Sequence, residues 1–218
     1  MGKELISEQT VLKAARKGEK VLCVGPEAIV TAAARDRAQV LGIRISTGAE
    51  PRPVEIPTTP PQFASGSRIL AIGSDHGGYE LKEKLKPFIE SLGWRVIDLG
   101  TSSPDACDYP DFAYAVAKTV SLGKADMGIM IDSIGTASAM TANKVPGVRA
   151  ACCLSEFVAR SSREHNDANV LTLGGRVLGE ELARSIAKAW LESQFSGGRH
   201  DARLGKIRDI EKRSSRDP

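Results

Sequence analysis

From about residue 68 onward, the pattern of apolar and polar positions predicts strands separated by amphipathic helices. Apolar-rich runs, typical of strands that are buried on both faces, occur at residues 68–74, 94–100, 127–131, 148–154 and 169–175. The segments between these runs carry apolar residues at helical spacing, for example Leu81, Leu85 and Ile89. This alternation predicts an α/β domain in which five parallel strands are covered by helices on both faces.

Proline divides the chain into two parts. Residues 47–66 carry five of the eleven prolines: Pro51, Pro53, Pro57, Pro60 and Pro61. Because proline fixes φ and removes a hydrogen-bond donor, we expect this segment to be an extended, unpaired linker. It would separate a small N-terminal module, residues 1–46, from a main domain, residues 67–218, which ends in a helical tail.

The N-terminal module should contain two short helices and a strand. Ser7 and Thr31 are good N-cap residues, and Gly18 and Gly42 are placed to end the helices that follow them. Residues 20–24 are a strand candidate. A segment of this size with few large apolar groups cannot build much of a core alone. We therefore expect it to dock on the main domain, on a second subunit or on another protein.

Composition narrows the class of protein. The 218 residues are 41% apolar and carry a formal net charge of +3, which fits a soluble globular protein and gives no argument for nucleic-acid binding. No apolar run approaches the ~18 residues that span a membrane, and no signal-peptide core is present. The four cysteines have no CxxC spacing, so a reduced, cytoplasmic chain is the simplest interpretation.

The first of three histidine clusters is GSDHGG, residues 73–78, directly after the first strand of the main domain. Asp75 and His76 would lie at the carboxyl end of that strand, before two glycines that let backbone amides approach a ligand. The alternative is a turn in which Asp75 only caps the next helix.

The other two clusters lie near the C-terminus. REHNDANV, residues 163–170, places His165 and Asn166 at a helix-to-strand connection, where a purely structural turn is the alternative. In GGRHDAR, residues 197–203, Arg199 and Arg203 share a helix face and could clamp a phosphate, although a solvent-exposed basic helix has the same pattern. Together the three clusters favour a site for a small polyol phosphate. None has metal-ligand spacing, and no dinucleotide or P-loop motif is present.

Residues 69–205 resemble ribose-5-phosphate isomerase B and the galactose-6-phosphate isomerase subunits. The matching pieces are GSDHGG, DYPDFA (108–113), ANKVPGVRAA (142–151), REHNDANVLTLGGRVLG (163–179) and FSGGRHDAR (195–203). The resemblance implies a Rossmann-like three-layer αβα sandwich. It also implies a homodimer, or a dimer of dimers, in which each active site is built from two subunits. The implied reaction converts an aldose phosphate into a ketose phosphate through an enediolate, without a metal or cofactor. The first substrate pair that the resemblance implies is ribose 5-phosphate and ribulose 5-phosphate.

The same resemblance assigns roles to individual residues. Asp75, His76 and Tyr109 would line the sugar site, His165 would assist ring opening, and Asn166 would bind the intermediate. The phosphate would be held by Arg176, Arg199 and Arg203, some of them reaching across the dimer.

The chain departs from this family where the apolar run GIMI ends at Asp132. The family has a cysteine there as the base, or in another branch a serine with a glutamate four residues later, where this chain has Thr136. The loop SIGTA keeps Gly135, while Ser133 and Ala137 replace glycines, so strain is expected wherever the loop keeps φ > 0. We expect Asp132 and Thr136 to be catalytic and the loop amides, with Ser133 and Gly135, to face the first two sugar carbons. The alternative is that Asp132 caps the following segment.

Two hypotheses for function remain open from the sequence, and a third possibility keeps the enediolate chemistry on a different phosphorylated sugar. The first is an active sugar-phosphate isomerase with Asp132 as its base. The second is a non-catalytic sugar-phosphate binder or a structural member of an assembly. Residues 1–46 resemble extensions on enzymes of bacterial microcompartments, which implies a shell or enzyme partner for this module and a microcompartment as an alternative location.

Overall fold

The computed structural model describes residues 4–25, 27–46, 54, 56 and 66–214. The chain divides into two compact units, Met1–Pro53 and Val54–Pro218. Most of the predicted linker, residues 47–66, lies outside the described residues. Val54 and Ile56, however, pack against the core of the larger unit, so this part of the predicted linker belongs with that unit.

The smaller unit is built from two strand–helix–strand segments. Its elements are β1 (Leu5–Ile6), α1 (Glu8–Arg16), β2 (Val21–Cys23), β3 (Ile29–Val30), α2 (Ala32–Leu41) and β4 (Arg44–Ser46). β1 pairs with β3 and β2 pairs with β4, both in parallel. The two helices and the strand at 20–24 agree with the sequence prediction, whereas β1, β3 and β4 were not predicted.

Local capping explains where α2 begins and ends. Thr31 Oγ1 accepts a hydrogen bond from the amide of Ala34 at 3.2 Å, and Gly42 ends α2 in the left-handed conformation, with φ of 63°.

The core of this unit is small and rich in alanine: Ile6, Val11, Ala14, Val24, Ala34, Ala38 and Ile43.

The larger unit contains the predicted five-stranded sheet. Its strands are β5 (Arg68–Ser74), β6 (Trp94–Asp98), β7 (Met127–Asp132), β8 (Ala150–Cys152) and β9 (Val170–Gly174). The strand order is β6-β5-β7-β9-β8, and every neighbouring pair is parallel. The five strands predicted from the apolar runs are therefore confirmed.

Helices cover both faces of this sheet. They are α3 (Tyr79–Ser91), α4 (Tyr109–Ser121), α5 (Thr136–Ala142), α6 (Glu156–Asn166), α7 (Glu180–Glu192) and α8 (Arg199–Ser214). Ile129 and Ile131 point toward a core formed with α3, α6 and α7, whereas Met130 between them packs with α4 and α5. The result is a Rossmann-like three-layer αβα sandwich, as predicted.

A charged network fastens α3 to β6. The side chain of Lys82 is 1% exposed, and its Nζ lies 2.6 Å from Asp98 and 2.5 Å from Glu83. Burial alone would raise the pKa of Asp98, but hydrogen bonds from Lys82 and Lys86 outweigh it and hold this pKa below its usual value. The network fixes the first turns of α3 and with them the loop that follows β5.

No helix in the described part of the chain has both the length and the apolar composition needed to cross a membrane.

Candidate active site

Three loops meet at the edge of the sheet where the strands end, which we call the carboxyl edge. They follow β5 (75–78), β7 (133–135) and β9 (175–179). Glycine permits the close approach: Ser133 Oγ lies against Gly77, and a Cβ at Gly175 would be 2.5 Å from the carbonyl oxygen of Gly77. The amide of Arg176 donates to the carbonyl of Ser133 at 3.0 Å. These contacts bring predicted residues of three motifs into one cluster.

Asp75 is the buried carboxylate of the loop after β5, with 5% of its surface exposed. Its Oδ1 accepts hydrogen bonds from the amides of Gly77 at 2.8 Å and Gly78 at 3.1 Å. Burial raises the pKa of Asp75, and this effect outweighs the opposing hydrogen bonds from the two glycine amides and the nearby His76. The negative charge of Asp132 adds to the increase.

His76 and Tyr109 extend the cluster toward α4. His76 Nδ1 lies 3.2 Å from the carbonyl oxygen of Cys107 and 3.3 Å from its amide nitrogen, so the loop before α4 holds the imidazole. Tyr109 is the first residue of α4 and is partly buried. Burial raises the pKa of the Cys107 thiol, which makes it a poor nucleophile or base at neutral pH.

Asp132 ends β7 and is 3% exposed. Its Oδ1 accepts from the amide of Ile134 at 2.8 Å and from the amide of Gly135. Its Oδ2 accepts from Ser138 twice, at 2.9 Å from the amide and at 2.5 Å from the hydroxyl. The carboxylate therefore organises the loop and the first turn of α5, as in the capping alternative.

These bonds correct two expectations about the loop. The amides of Ile134 and Gly135 donate to Asp132, so the prediction that they turn toward the sugar is wrong in this conformation. The expected strain at Ser133 and Ala137 is also absent, because Gly135, with φ of 83°, is the residue of the loop in the left-handed region. The Thr136 side chain is exposed, and its Oγ1 lies 3.9 Å from the sulfur of Cys152.

His165 and Asn166 lie at the opposite edge of the sheet, which we call the amino edge. They end α6, which starts at the carboxyl edge after β8 and runs back for 11 residues, or about 16 Å. Arg149, just before β8, donates from Nε to the carbonyl of Asn166 at 3.1 Å. The end of α6 is therefore fixed beside the start of β8, far from Asp75 in the same chain.

The start of α8 joins His165 at the amino edge. The rings of His165 and His200 are stacked with centroids 4.4 Å apart, and Ser161 Oγ lies 3.1 Å from His165 Nδ1. Arg199 and Arg203 flank His200 and are exposed. Burial, together with His165 and both arginines, lowers the pKa of His200. The lowered pKa favours the neutral form of His200, while Arg199 and Arg203 stay positively charged beside it.

One chain thus holds the predicted site in two halves. The carboxyl-edge half contains Asp75, His76, Tyr109, Asp132, Ser133, Gly135, Thr136 and Arg176, and the amino-edge half contains His165, Asn166, Arg199 and Arg203. Sequence reasoning assigned no role to Ser138, Arg149 and His200, which contact Asp132, Asn166 and His165 respectively. Among the described residues, no three His, Cys, Asp or Glu side chains are grouped so that they could hold a metal ion.

Comparison with known proteins places the larger unit in a family. A model of the family described as Ribose/Galactose Isomerase matches residues 70–207. Ribose-5-phosphate isomerase B of Escherichia coli is 44% identical over 144 residues, which is 66% of this chain and 97% of that protein. The putative sugar phosphate isomerase YwlF of Bacillus subtilis is also 44% identical, over 146 residues, covering 66% of this chain and 98% of the relative.

The similar solved structures include further ribose-5-phosphate isomerases B. Ribose-5-phosphate isomerase B of Clostridium thermocellum is 51% identical, with a TM-score of 0.66, over 67% of this chain and 99% of that one. The Mycoplasma genitalium enzyme with bound ribulose-5-phosphate is 40% identical, with a TM-score of 0.65, over 67% and 97%. The family match begins at residue 70, beyond the smaller unit. With more than half of its length matched, this chain belongs to the ribose/galactose isomerase family.

Proposed function

We propose that this protein interconverts an aldose phosphate and a ketose phosphate through an enediolate. The observation that carries the proposal is the pairing of His165 with two exposed arginines, Arg199 and Arg203, in a member of this family. Guanidinium groups bind phosphate through charge-assisted hydrogen bonds, and an imidazole can move hydroxyl protons at neutral pH. Ribose 5-phosphate and ribulose 5-phosphate are the first substrates to test, because relatives are named for the former and one holds the latter.

The proposed site is shared between two subunits. In one chain, α6 spans about 16 Å between the carboxyl edge and the amino edge of the sheet. A small sugar phosphate cannot reach across this distance. Two-fold symmetry would place the amino-edge half of one subunit against the carboxyl-edge half of the other. We therefore propose a homodimer, with a dimer of dimers as the alternative.

Exposed apolar side chains support such a partner. Phe157 on α6 is 73% exposed and Met140 on α5 is 64% exposed. More of them occur on the segments that follow β7, β8 and β9: Ile134, Leu154, Val158, Val177 and Leu182. Burial of this surface against a second copy would stabilise the dimer that the shared site requires.

A non-catalytic sugar-phosphate binder is the second candidate. It is favoured by one observation, the four hydrogen bonds on Asp132, which occupy the carboxylate that stands in the place of the family's base. An isomerase assay of the purified full chain with five- and six-carbon sugar phosphates separates the two candidates. The proposal predicts turnover of at least one of them, and binding without turnover of any would favour the binder.

Arg203→Ala should weaken binding of ribose 5-phosphate more than tenfold, because each charge-assisted hydrogen bond contributes roughly 1.5–3 kcal/mol. Isothermal titration calorimetry measures the affinity. Arg208→Ala is the matched control: it removes the same charge from α8, but five residues further on, about 140° around the helix. Equal affinities for the two variants would contradict the assignment of Arg203 to phosphate.

For the smaller unit we propose docking to another protein, either a shell protein or an enzyme of a microcompartment-type assembly. Its alanine-rich core and its position outside the family match support a role separate from catalysis. The proposed cellular location is accordingly the cytoplasm or such a compartment within it.

Deleting residues 1–53 should leave dimerisation and sugar-phosphate binding unchanged. The cut falls before Val54, so the residues that pack on the core of the larger unit are kept. Light scattering and calorimetry on the shortened chain measure the two properties. Loss of the dimer would show that the smaller unit contributes to subunit association, which the proposal denies.

A further inference from the structure

Two buried carboxylates stand side by side at the carboxyl edge. Ser74 and Ile131 are register partners on the parallel strands β5 and β7, and the next residues are Asp75 and Asp132. The amide of Asp75 donates to the carbonyl of Ile131 at 3.2 Å, so the pairing continues to the end of the strands. Neighbouring strands lie about 4.8 Å apart, which makes the two aspartates immediate neighbours.

The two aspartates accept different numbers of hydrogen bonds. A carboxylate has about four lone-pair sites, and Asp132 accepts four hydrogen bonds, two on each oxygen. Asp75 accepts two, both on Oδ1. No hydrogen bond to Asp75 Oδ2 occurs within the described part of the chain. Of the two carboxylates, only Asp75 therefore keeps an oxygen that can take up a proton without breaking the loop.

The surroundings of Asp75 also suit proton transfer. Burial raises its pKa, and the nearby charge of Asp132 contributes in the same direction. A general base works best when its pKa approaches the working pH, because it must both accept and return the proton. Neighbouring carboxylates with different environments commonly divide such roles, one staying ionised while the other exchanges protons.

We propose that Asp75, and not Asp132, is the catalytic carboxylate that moves the proton between the two sugar carbons, and that Asp132 is a positioning residue that holds the loop and a fixed negative charge beside it. This inference rests on the isomerase function proposed above. It accounts for a family member in which the usual cysteine is replaced by a carboxylate that is fully hydrogen-bonded.

In the forward direction, Asp75 Oδ2 takes the proton from C2 of the open-chain aldose. The electron pair of the C2–H bond forms the C1=C2 double bond, and the electrons of the C1=O double bond move to O1. The hydroxyl proton then passes from O2 to O1. The electrons on O2 form the C2=O double bond as C1 takes the proton back from the neutral carboxyl group of Asp75. No oxidant or reductant is consumed, and the carboxylate is regenerated.

The test compares wild type with Asp75→Asn, Asp132→Asn and the exposed control Asp111→Asn, all as full-length protein. Asparagine at position 75 keeps an oxygen for the amides of Gly77 and Gly78, so the fold should persist. We expect Asp75→Asn to lower kcat at least ~10²-fold and to abolish exchange of the C2 hydrogen with deuterium oxide. The affinity for ribose 5-phosphate, measured by calorimetry, should change by less than about threefold. Loss of a contact that binds the substrate would change it by about tenfold or more.

Asp132→Asn tests whether the charge of Asp132 acts on Asp75, an effect that a purely structural role of Asp132 would not produce. Removing the neighbouring negative charge should lower the pKa of Asp75, so the acidic limb of the kcat–pH profile should move to lower pH. Asp111→Asn should leave both kcat and this limb unchanged, because its side chain is exposed at the start of α4.

The outcomes separate the two proposals. If wild type turns over a sugar phosphate and Asp75→Asn does so at a similar rate, the assignment of Asp75 is overturned while the isomerase function stands. If Asp132→Asn abolishes turnover with an intact fold while Asp75→Asn stays active, Asp132 is the base. If wild type turns over no sugar phosphate at all, the proposed function fails, and the catalytic role of Asp75 fails with it.

Discussion

Replacing Asp132 with alanine should lower the free energy of unfolding of the larger unit by about 3 kcal/mol. The substitution removes a 3% exposed carboxylate that accepts four hydrogen bonds, and hydrogen bonds to charged groups contribute roughly 1.5–3 kcal/mol each. Water that enters the vacated space can replace some of these hydrogen bonds. The expected loss of stability is therefore well below the sum of the four contributions. Thermal and urea unfolding of the full chain measure it.

The loop should lose its shape in the same variant. Without the carboxylate, the amides of Ile134 and Gly135 have no acceptor holding them, and Ser138 loses its link to the end of β7. Sugar-phosphate affinity should therefore fall together with stability. Asp132→Asn should give a smaller loss, because its amide oxygen can still accept on one side while its NH₂ group faces the donors of Ser138.

Asp105→Ala is the matched control for this prediction. Asp105 is an exposed carboxylate on the loop before α4, and its bond to Ser103 is in solvent, so stability should change by less than about 0.5 kcal/mol. Unchanged stability of Asp132→Ala combined with a large loss of turnover would contradict the loop-organising role and favour Asp132 as the base.

The sheet of the larger unit could be predicted from the sequence because its strands are buried on both faces. Such strands need apolar residues at nearly every position, and runs such as residues 127–131 stand out from the helices around them. In the smaller unit the three-residue strand β2 was predicted from its apolar run, whereas β1, β3 and β4, which are two or three residues long, were missed. A pattern of that length has no period, and the pairing that defines these strands depends on a partner elsewhere in the chain.

The residues of the candidate site were easier to predict than their arrangement. His165, Asn166 and the two arginines of α8 were found from their motifs, while their separation from Asp75 entered only through the shared site that the family resemblance implies. That separation follows from topology alone: a helix between parallel strands runs back to the amino edge, so a motif at its end cannot meet a strand's carboxyl end in the same chain.

Asp132 shows the limit of sequence reasoning most clearly. Its place at the end of a strand was predicted and is confirmed by β7. Whether its carboxylate serves the substrate or the loop depends on the turn at Gly135, which brings the Ser138 amide and hydroxyl back to it. A spacing of six residues between Asp132 and Ser138 matches no common capping pattern, so the sequence alone gave no reason to prefer this role.

Two variants that are each impaired should restore activity when they are combined in one dimer. Asp75→Asn damages the carboxyl-edge half of the site, and Arg203→Ala damages the amino-edge half. If each site joins halves from two subunits, a heterodimer has one site with both substitutions and one site with neither. A site contained in a single chain would carry one substitution in each copy, and no intact site could form.

Co-expression of the two variants with different affinity tags allows the heterodimer to be purified, and its rate of sugar-phosphate isomerisation is the most direct measurement of the shared site. With one intact site of two, the heterodimer should have about half of the wild-type activity at low substrate concentration. Each homodimer should remain at least about tenfold below wild type. A heterodimer no more active than its two parents would contradict an active site built from two subunits.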